Sequence, residues 1–217
     1  MAAGLSALVS LRLCDHLSSP PVSDGGIENP AGTVRMNQSW PRIKSRQTTA
    51  VSPWIDIITR EVEFAPNQPA QTYHAIGQLD YLAIVALTPD GRFPLVRQYR
   101  PALEAFTLEL PAGLAEPGED PAIGCQRELL EETGYPTGAI YPLGTTAPCT
   151  GRLSNRLHSY FLQTERRIDN FTPEPGVAVE LATPSELVAM IKSGEFNSQL
   201  HLGALLLAEL RNFIALK

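Results

Sequence analysis

Residues 113–135 read GLAEPGEDPAIGCQRELLEETGY, and this stretch constrains the fold of the chain more than any other. Asp120 can cap a helix, Pro121 fits its first turn, and Gly134 can end it in the left-handed conformation. On that helix Glu128, Glu131 and Glu132 stand at i, i+3 and i+4, so three carboxylates share one face. Like charges at that spacing repel one another and would destabilise a bare helix. A divalent cation relieves the repulsion. Hard oxygen ligands with shared negative charge suit Mg²⁺ or Mn²⁺, which keep waters and bind substrate phosphates. Arg127 lies at i, i+4 from Glu131 and can pair with it, but one arginine does not neutralise so many acids. The other reading of these residues is a solvated acidic face, the usual meaning of a charge run.

The spacing of the whole stretch says more than the three acids. Gly113 is followed after five residues by Glu119, and after seven more by Arg127-Glu128-Leu129-Leu130-Glu131-Glu132-Thr133-Gly134. This matches every fixed position of the Nudix box, with Tyr135 standing where a smaller aliphatic residue is commoner. The chain therefore resembles the Nudix hydrolases, which cleave nucleoside diphosphates linked to another moiety. The resemblance implies an α/β fold, an α/β/α sandwich over a mixed sheet. It also implies Glu128, Glu132 and the main-chain carbonyl of Ala112 as metal ligands. Glu131 would be a further ligand or a catalytic group, and Glu119 with Arg127 would brace the loop against the helix.

The 217 residues suit one domain with an extension, and 43% apolar content is ordinary for a globular core. A net charge of −6 argues against a nucleic-acid backbone as partner but leaves room for a small anionic substrate held by metal and local arginines. Cys14, Cys125 and Cys149 form no even, closely spaced framework, which points to a reduced, cytoplasmic compartment. No apolar run reaches the ~18 residues of a membrane span. Residues 1–50 show no sustained periodicity and read as a flexible extension, within which 4–13 could be an amphipathic start and Met36 an alternative first residue.

From residue 51 the chain becomes regular, and 51–217 reads as the folded domain. Strands are predicted over 55–64, 72–76, 82–87, 93–99, 159–163 and 177–181, with Leu108 to Leu110 leading into the box. The 82–87 run is apolar throughout and should be buried. Pro89-Asp90-Gly91 is a turn signal across which 93–99 should pair back as a hairpin. Thr183-Pro184-Ser185-Glu186 is a capping box opening a helix that Gly194 ends. A last helix is predicted from about Gln199 to Ala215, its leucines burying much of its surface.

Upstream of the box, Val96-Arg97-Gln98-Tyr99-Arg100-Pro101 and Glu109-Leu110-Pro111-Ala112-Gly113 resemble the approach to the box in ADP-ribose pyrophosphatases and related ADP-sugar hydrolases. Arginine forks onto two phosphate oxygens, as a diphosphate requires. On a strand Arg97 and Arg100 face opposite ways, and the resemblance favours Arg100 as the one reaching substrate; the other reading is that both are surface residues pairing with the acidic excess. It also implies that N-terminal strands, here within 51–80, are exchanged between two subunits of a homodimer. Trp54 and Tyr73 would then stack on the base from either side; packing at a core or interface is the other reading of these aromatics. Gly151 and Ser154 sit in the loop matching the family's substrate-contacting loop, although the slot where many members carry proline is Gly151 here, with Pro148 three residues earlier. The late-loop glutamate of the family has no strict counterpart. Its slot holds Pro175, Glu174 lies one residue before it, and Glu180 follows on the strand, so Glu174, Glu180 and Glu131 all remain candidates for the general base. The four histidines show no ligand spacing.

The resemblance implies metal-dependent cleavage of the pyrophosphate bond in a nucleoside diphosphate sugar, with ADP-ribose giving AMP and ribose 5-phosphate. A different nucleoside diphosphate derivative is the alternative substrate. A non-catalytic nucleotide-sugar sensor of the same fold is the alternative function, one that usually lacks part of the glutamate cluster.

Overall fold

The computed structural model describes residues 40–216. Cys14, His16, Met36 and the 4–13 segment lie outside the described residues. Ten strands and three helices follow in order: β1 (Arg42–Ser52), β2 (Ile55–Glu63), β3 (Gln71–Gly77), β4 (Tyr81–Leu87), β5 (Phe93–Arg100), β6 (Ala105–Glu109), β7 (Ala112–Leu114), α1 (Pro121–Thr133), β8 (Thr137–Thr146), β9 (Leu157–Thr164), β10 (Val177–Ala182), α2 (Pro184–Ser193) and α3 (Gln199–Leu210). They form three sheets. The first is the antiparallel meander β1-β2-β3, the second is β10-β5-β6, and the third is β7-β4-β9-β8. In the third, β4 and β9 run parallel while the outer pairs are antiparallel, so the sheet is mixed.

The apolar run of β4 explains the layering. Side chains alternate across a strand, and both faces of β4 are covered. Leu82, Ile84 and Ala86 pack with Cys125 and Leu129 of α1, with Tyr135, and with Leu162 of β9. Ala83 and Val85 face the other way, into a core with Phe93, Leu108, Phe161, Leu187 of α2 and Leu205 of α3. One helix thus lies on one face and two on the other, the α/β/α arrangement. Leu129 is fully buried, and burial of a leucine contributes about 1.5–3 kcal/mol.

The box helix forms where its punctuation places it. Asp120 Oδ1 accepts from the Ala122 N–H at 2.8 Å, and Pro121 needs no partner at the first helical position. Gly134 ends the helix at φ 74° and donates its N–H to Leu130 O at 2.9 Å. A side chain there would meet Phe171 at 2.3 Å, so glycine is required twice over. The Thr183 capping box and the Gly194 stop of α2 are both present.

Several expectations need correction. The folded chain starts earlier than residue 51, because β1 begins at Arg42 inside the stretch read as an extension. All eleven of its residues are exposed, so it is held by its ladder to β2 and carries no burial pattern to read. The turn at Pro89-Asp90-Gly91 exists, with Gly91 N–H on Thr88 O at 2.8 Å. The strands it joins do not pair as a hairpin: both edges of β4 are taken by β7 and β9, and those of β5 by β6 and β10. Strand β8 escaped the period-2 reading because Pro142 and Gly144 interrupt it at a register shift. Helix α3 stops at Leu210, not Ala215. Asn212 turns left-handed at φ 61°, and the Phe213 N–H reaches back to Ala208 O, a Schellman closure. Of its leucines, Leu205 is buried, Leu200, Leu202 and Leu207 pack against the core, and Leu206 and Leu210 are exposed.

Candidate active site

Arg127, in the middle of α1, gathers the box together. Its Nε and Nη2 fork onto the two carboxylate oxygens of Glu119, each at 3.0 Å, while Nη1 reaches Glu128 Oε1 at 2.8 Å and Glu131 Oε2 at 3.2 Å. Nη2 also donates to Leu114 O at 3.3 Å, which ties the helix to β7. Glu119 accepts the Glu116 N–H as well, and these bonds hold its carboxyl below the usual range. Helical spacing puts Glu131 one turn on from Arg127, Glu128 is its chain neighbour, and Glu119 reaches it from the loop before the helix.

Glu132 lies beyond that reach. Its single donor among the described residues is the Ala112 N–H, 3.0 Å from Oε2. Burial pushes its pKa up to about 8, opposed by the Ala112 bond and reinforced by the charge on Glu128. Glu128 is also raised by burial, with Arg127 working against the shift. The β4–β7 ladder explains why Ala112 faces these acids. Pro111 O accepts from the Ile84 N–H and Ala115 N–H donates to Asp80 O, so in an antiparallel ladder Ala112 and Leu114 are the positions turned away from β4. The Ala112 carbonyl therefore points to the same side as its N–H, toward α1. Gly113 completes the fit: a Cβ there would stand 2.1 Å from the Glu128 carboxyl.

These acids open onto a cleft of about 120 Å³ lined by Gln98, Glu128, Glu131, Glu132, Glu174 and Val177. Gln98 arrives because it alternates with Arg97 along β5. Glu174 arrives through a tight turn in which Val177 N–H donates to Glu174 O at 3.0 Å and Gly176 adopts φ 88°, the Pro-Gly arrangement of a type II turn. Glu180 is elsewhere, in an ion pair with Arg97, whose Nη2 also reaches Glu195 at 2.6 Å. Both arginine and acid are thereby engaged away from the cleft.

Next to Ala112 and Gly113 lies a larger pocket of about 450 Å³ that Arg100, Glu109 and His201 line. Arg100 donates through Nε and Nη2 to Glu109 at 2.8 and 2.6 Å, and Thr107 adds a third bond to that carboxyl. Burial alone would raise the pKa of Glu109, but the bonds from Arg100 and Thr107 outweigh it and hold the group below its ordinary value. A cavity of about 610 Å³ beside Tyr135, Arg167 and Phe171 contains none of the box acids.

The remaining sequence candidates are more dispersed. Trp54 is 66% exposed at the β1–β2 turn. Tyr73 pairs with Arg60 in the β2–β3 register and makes an edge contact with Phe64 at 5.6 Å. Six residues of strand separate Arg60 from Trp54, about 20 Å at ~3.3 Å per residue, so one chain does not bring the two aromatics to a common base. Ser154 spends its hydroxyl on Ile76 O at 3.1 Å, and neither it nor Gly151 lines the acidic cleft. Nothing in the sequence assigns a role to Gln98, Glu109 or His201. The alternation that places Arg100 on the inner face of β5 would have identified Gln98; a lone histidine carries no such signal.

The donor set suits a hard divalent cation. Glu128 and Glu132 face one cleft, the Ala112 carbonyl lies on the same side of its strand as the N–H that Glu132 accepts, Glu132 is destabilised by burial, and the glycine beside Glu128 leaves its carboxyl room. Among the described residues no three His, Cys, Asp or Glu side chains converge as a ready cage. Mg²⁺ does not need one, since it keeps several waters and uses one or two carboxylates. The shift on Glu132 has a signed consequence. A pKa raised from 4.5 to about 8 means that the fold favours the neutral acid, a contribution fully present below pH 4.5 and lost as pH rises through about 8. In EDTA, E132Q should melt a few degrees above wild type near pH 8, with the gap closing toward pH 5. A gap that is constant over this window would show that Glu132 is not held neutral.

Comparison with known proteins agrees with this geometry. The NUDIX domain family matches residues 79–200. An ADP-ribose pyrophosphatase of Bacillus subtilis is 29% identical over 147 residues, covering 65% of this chain and 77% of that protein. A methanol dehydrogenase activator of Bacillus methanolicus is 35% identical over 95 residues, 44% of this chain and 51% of the relative. A mouse ADP-sugar pyrophosphatase is 54% identical over 41 residues, 19% of each chain. Among solved structures, an ADP compounds hydrolase shares the fold with a TM-score of 0.64 at 21% identity, over 80% of this chain and 93% of that one. With the family matched from β4 through the box helix to the start of α3, the chain belongs to the Nudix family.

Proposed function

We propose that this Nudix hydrolase is a Mg²⁺-dependent pyrophosphatase of nucleoside diphosphate sugars, Mn²⁺ being the alternative metal, with ADP-ribose cleaved to AMP and ribose 5-phosphate. The observation that carries the proposal is the cleft in which Glu128, Glu131 and Glu132 meet Gln98 and Glu174. Similarity to the Bacillus subtilis ADP-ribose pyrophosphatase and the mouse ADP-sugar pyrophosphatase supports the choice of substrate.

Glu128, Glu132 and the Ala112 carbonyl would hold the cation. When bound, it supplies positive charge against the diphosphate and acidifies water. Arg127 keeps Glu119 and Glu131 aligned and fixes β7 against the helix, so the ligands are preorganised. Arg100, steered by Glu109, faces the phosphates, and Gln98 offers an amide donor from the same strand. Glu174 takes a proton from the attacking water as its oxygen bonds to phosphorus and the bridging P–O bond breaks. The exposed apolar side chains of the first sheet, Ile43, Val51, Trp54 and Tyr73 among them, suit a second copy of the chain. A homodimer would bring Trp54 of one subunit toward the Tyr73 side of the other and so complete a site for the base.

Purified protein assayed on ADP-ribose, ADP-glucose, GDP-mannose and NADH, with and without Mg²⁺, tests the proposal. ADP-ribose should be the preferred substrate and turnover should need the metal; E128Q and E132Q should each lose roughly 10²-fold or more in kcat with the fold intact. Better rates on a guanine nucleotide would overturn the ADP-ribose assignment, and near-normal activity in both variants would mean that other carboxylates act.

The general base is tested by two substitutions side by side under saturating Mg²⁺. E174Q should lower kcat by about 10–10⁴-fold with KM little changed, whereas E180Q, removed from the cleft by its pairing with Arg97, should leave kcat near wild type. A kcat unaffected by E174Q would pass the role to Glu131.

A further inference from the structure

His201 sits in the first turn of α3 and is 4% exposed. The Leu110 N–H donates to its Nδ1 at 3.2 Å, so Nδ1 carries no proton and the ring hydrogen sits on Nε2. Burial pushes the pKa of the imidazole down to about 4, which keeps the ring neutral and that tautomer in place at neutral pH. Among the described residues nothing accepts from Nε2. Nε2 is not one of the buried polar atoms without a partner among the described residues, so it opens into the adjoining pocket, where its N–H is free to donate to a ligand.

The ring lines the 450 Å³ pocket beside Ala112 and Gly113. Glu109, the acid lining the same pocket, already accepts two bonds from Arg100 and one from Thr107, and none from His201. The rest of the lining mixes Tyr81 and Ser198 with Leu103, Leu114 and Leu157. Apolar walls with a few convergent donors suit the C–H faces and hydroxyls of a sugar ring. A diphosphate is better served by the adjoining acidic cleft with its cation.

We infer that His201 is a specificity-determining residue, donating its Nε2–H to an oxygen of a sugar ring seated in the pocket beside Arg100. The inference rests on the diphosphatase reading and deepens it. The ring is either the ribose of the nucleoside or the second sugar, and the two are distinguishable by experiment.

Two substitutions separate the nitrogens. In H201N the side-chain oxygen replaces Nδ1, so the Leu110 N–H stays bonded while the outer donor is lost. H201Q restores a donor near the Nε2 position. On the nucleoside diphosphate sugar that wild type cleaves best, H201N should lose about ten-fold in kcat/KM, mostly through KM, at a melting temperature close to wild type, and H201Q should recover most of the loss. Repeating the comparison with the methyl ester of ADP, as substrate or competitive inhibitor, locates the contact: a loss that disappears places His201 on the second sugar, and a loss that persists places it on the nucleoside ribose. Wild-type protein provides a readout independent of variant folding, because removing the second sugar or the nucleoside 2′- and 3′-hydroxyls should raise KM about ten-fold in one case. Unchanged KM with both analogues, unchanged kcat/KM in H201N, or a loss in kcat alone would overturn the inference. A wild type that cleaves no nucleoside diphosphate sugar would overturn the diphosphatase reading and this inference with it.

Discussion

Arg127 touches three acids of the box at once and leaves the fourth to itself. Glu119, Glu128 and Glu131 share its guanidinium, which is why a helix carrying so much like charge can pack against a sheet. Among the described residues Glu132 receives only a main-chain N–H. Its position is costly when ionised in a bare protein, burial outweighing the Ala112 bond and the nearby charge of Arg100, and a bound cation would relieve it. The same guanidinium bonds to Leu114 O, so the strand that carries Ala112 is set by the residue that orders the acids. Charge balance and backbone placement are therefore one arrangement.

Around this centre the fold separates two chemistries. On the α1 side, acids and Gln98 surround a small cleft suited to a cation and phosphate oxygens. Beyond Ala112 and Gly113, a larger pocket offers apolar walls, Arg100 and a buried histidine. Gly113 stands at the boundary, where any side chain would collide with Glu128. Strand β5 serves both sides of its sheet by alternation: Gln98 and Arg100 face inward, while Arg97 turns out to bind Glu180 and Glu195.

How much of this could be read from the sequence depended on whether the cause was local. Helix α1 was legible because its cap, first-turn proline, terminal glycine and acid spacing all lie within one short stretch. Strand β4 was legible because burial on both faces leaves an unbroken apolar run. Strand β1 was not, since eleven exposed residues leave no pattern. The expected β4–β5 hairpin failed because a turn is a local property and strand pairing is not. At the site, the pairing of Arg127 with Glu131 followed from helical periodicity. The placing of Glu174 in the cleft and Glu180 outside it needed the Pro175-Gly176 turn and a partner 83 residues away in sequence. Nothing near His201 in the chain signals that it will meet the Leu110 N–H, 91 residues distant.

On the proposed function, the unbalanced carboxylates of α1 form a divalent-cation site on which hydrolysis depends. The most direct measurement is a Mn²⁺ titration of the metal-stripped protein, following bound metal by electron paramagnetic resonance and ADP-ribose turnover in the same samples. Wild type should take up Mn²⁺ with turnover rising in step, and the E128Q/E132Q double variant should lose both. Full turnover by the stripped protein in EDTA, or undiminished Mn²⁺ uptake by the double variant, would contradict the account.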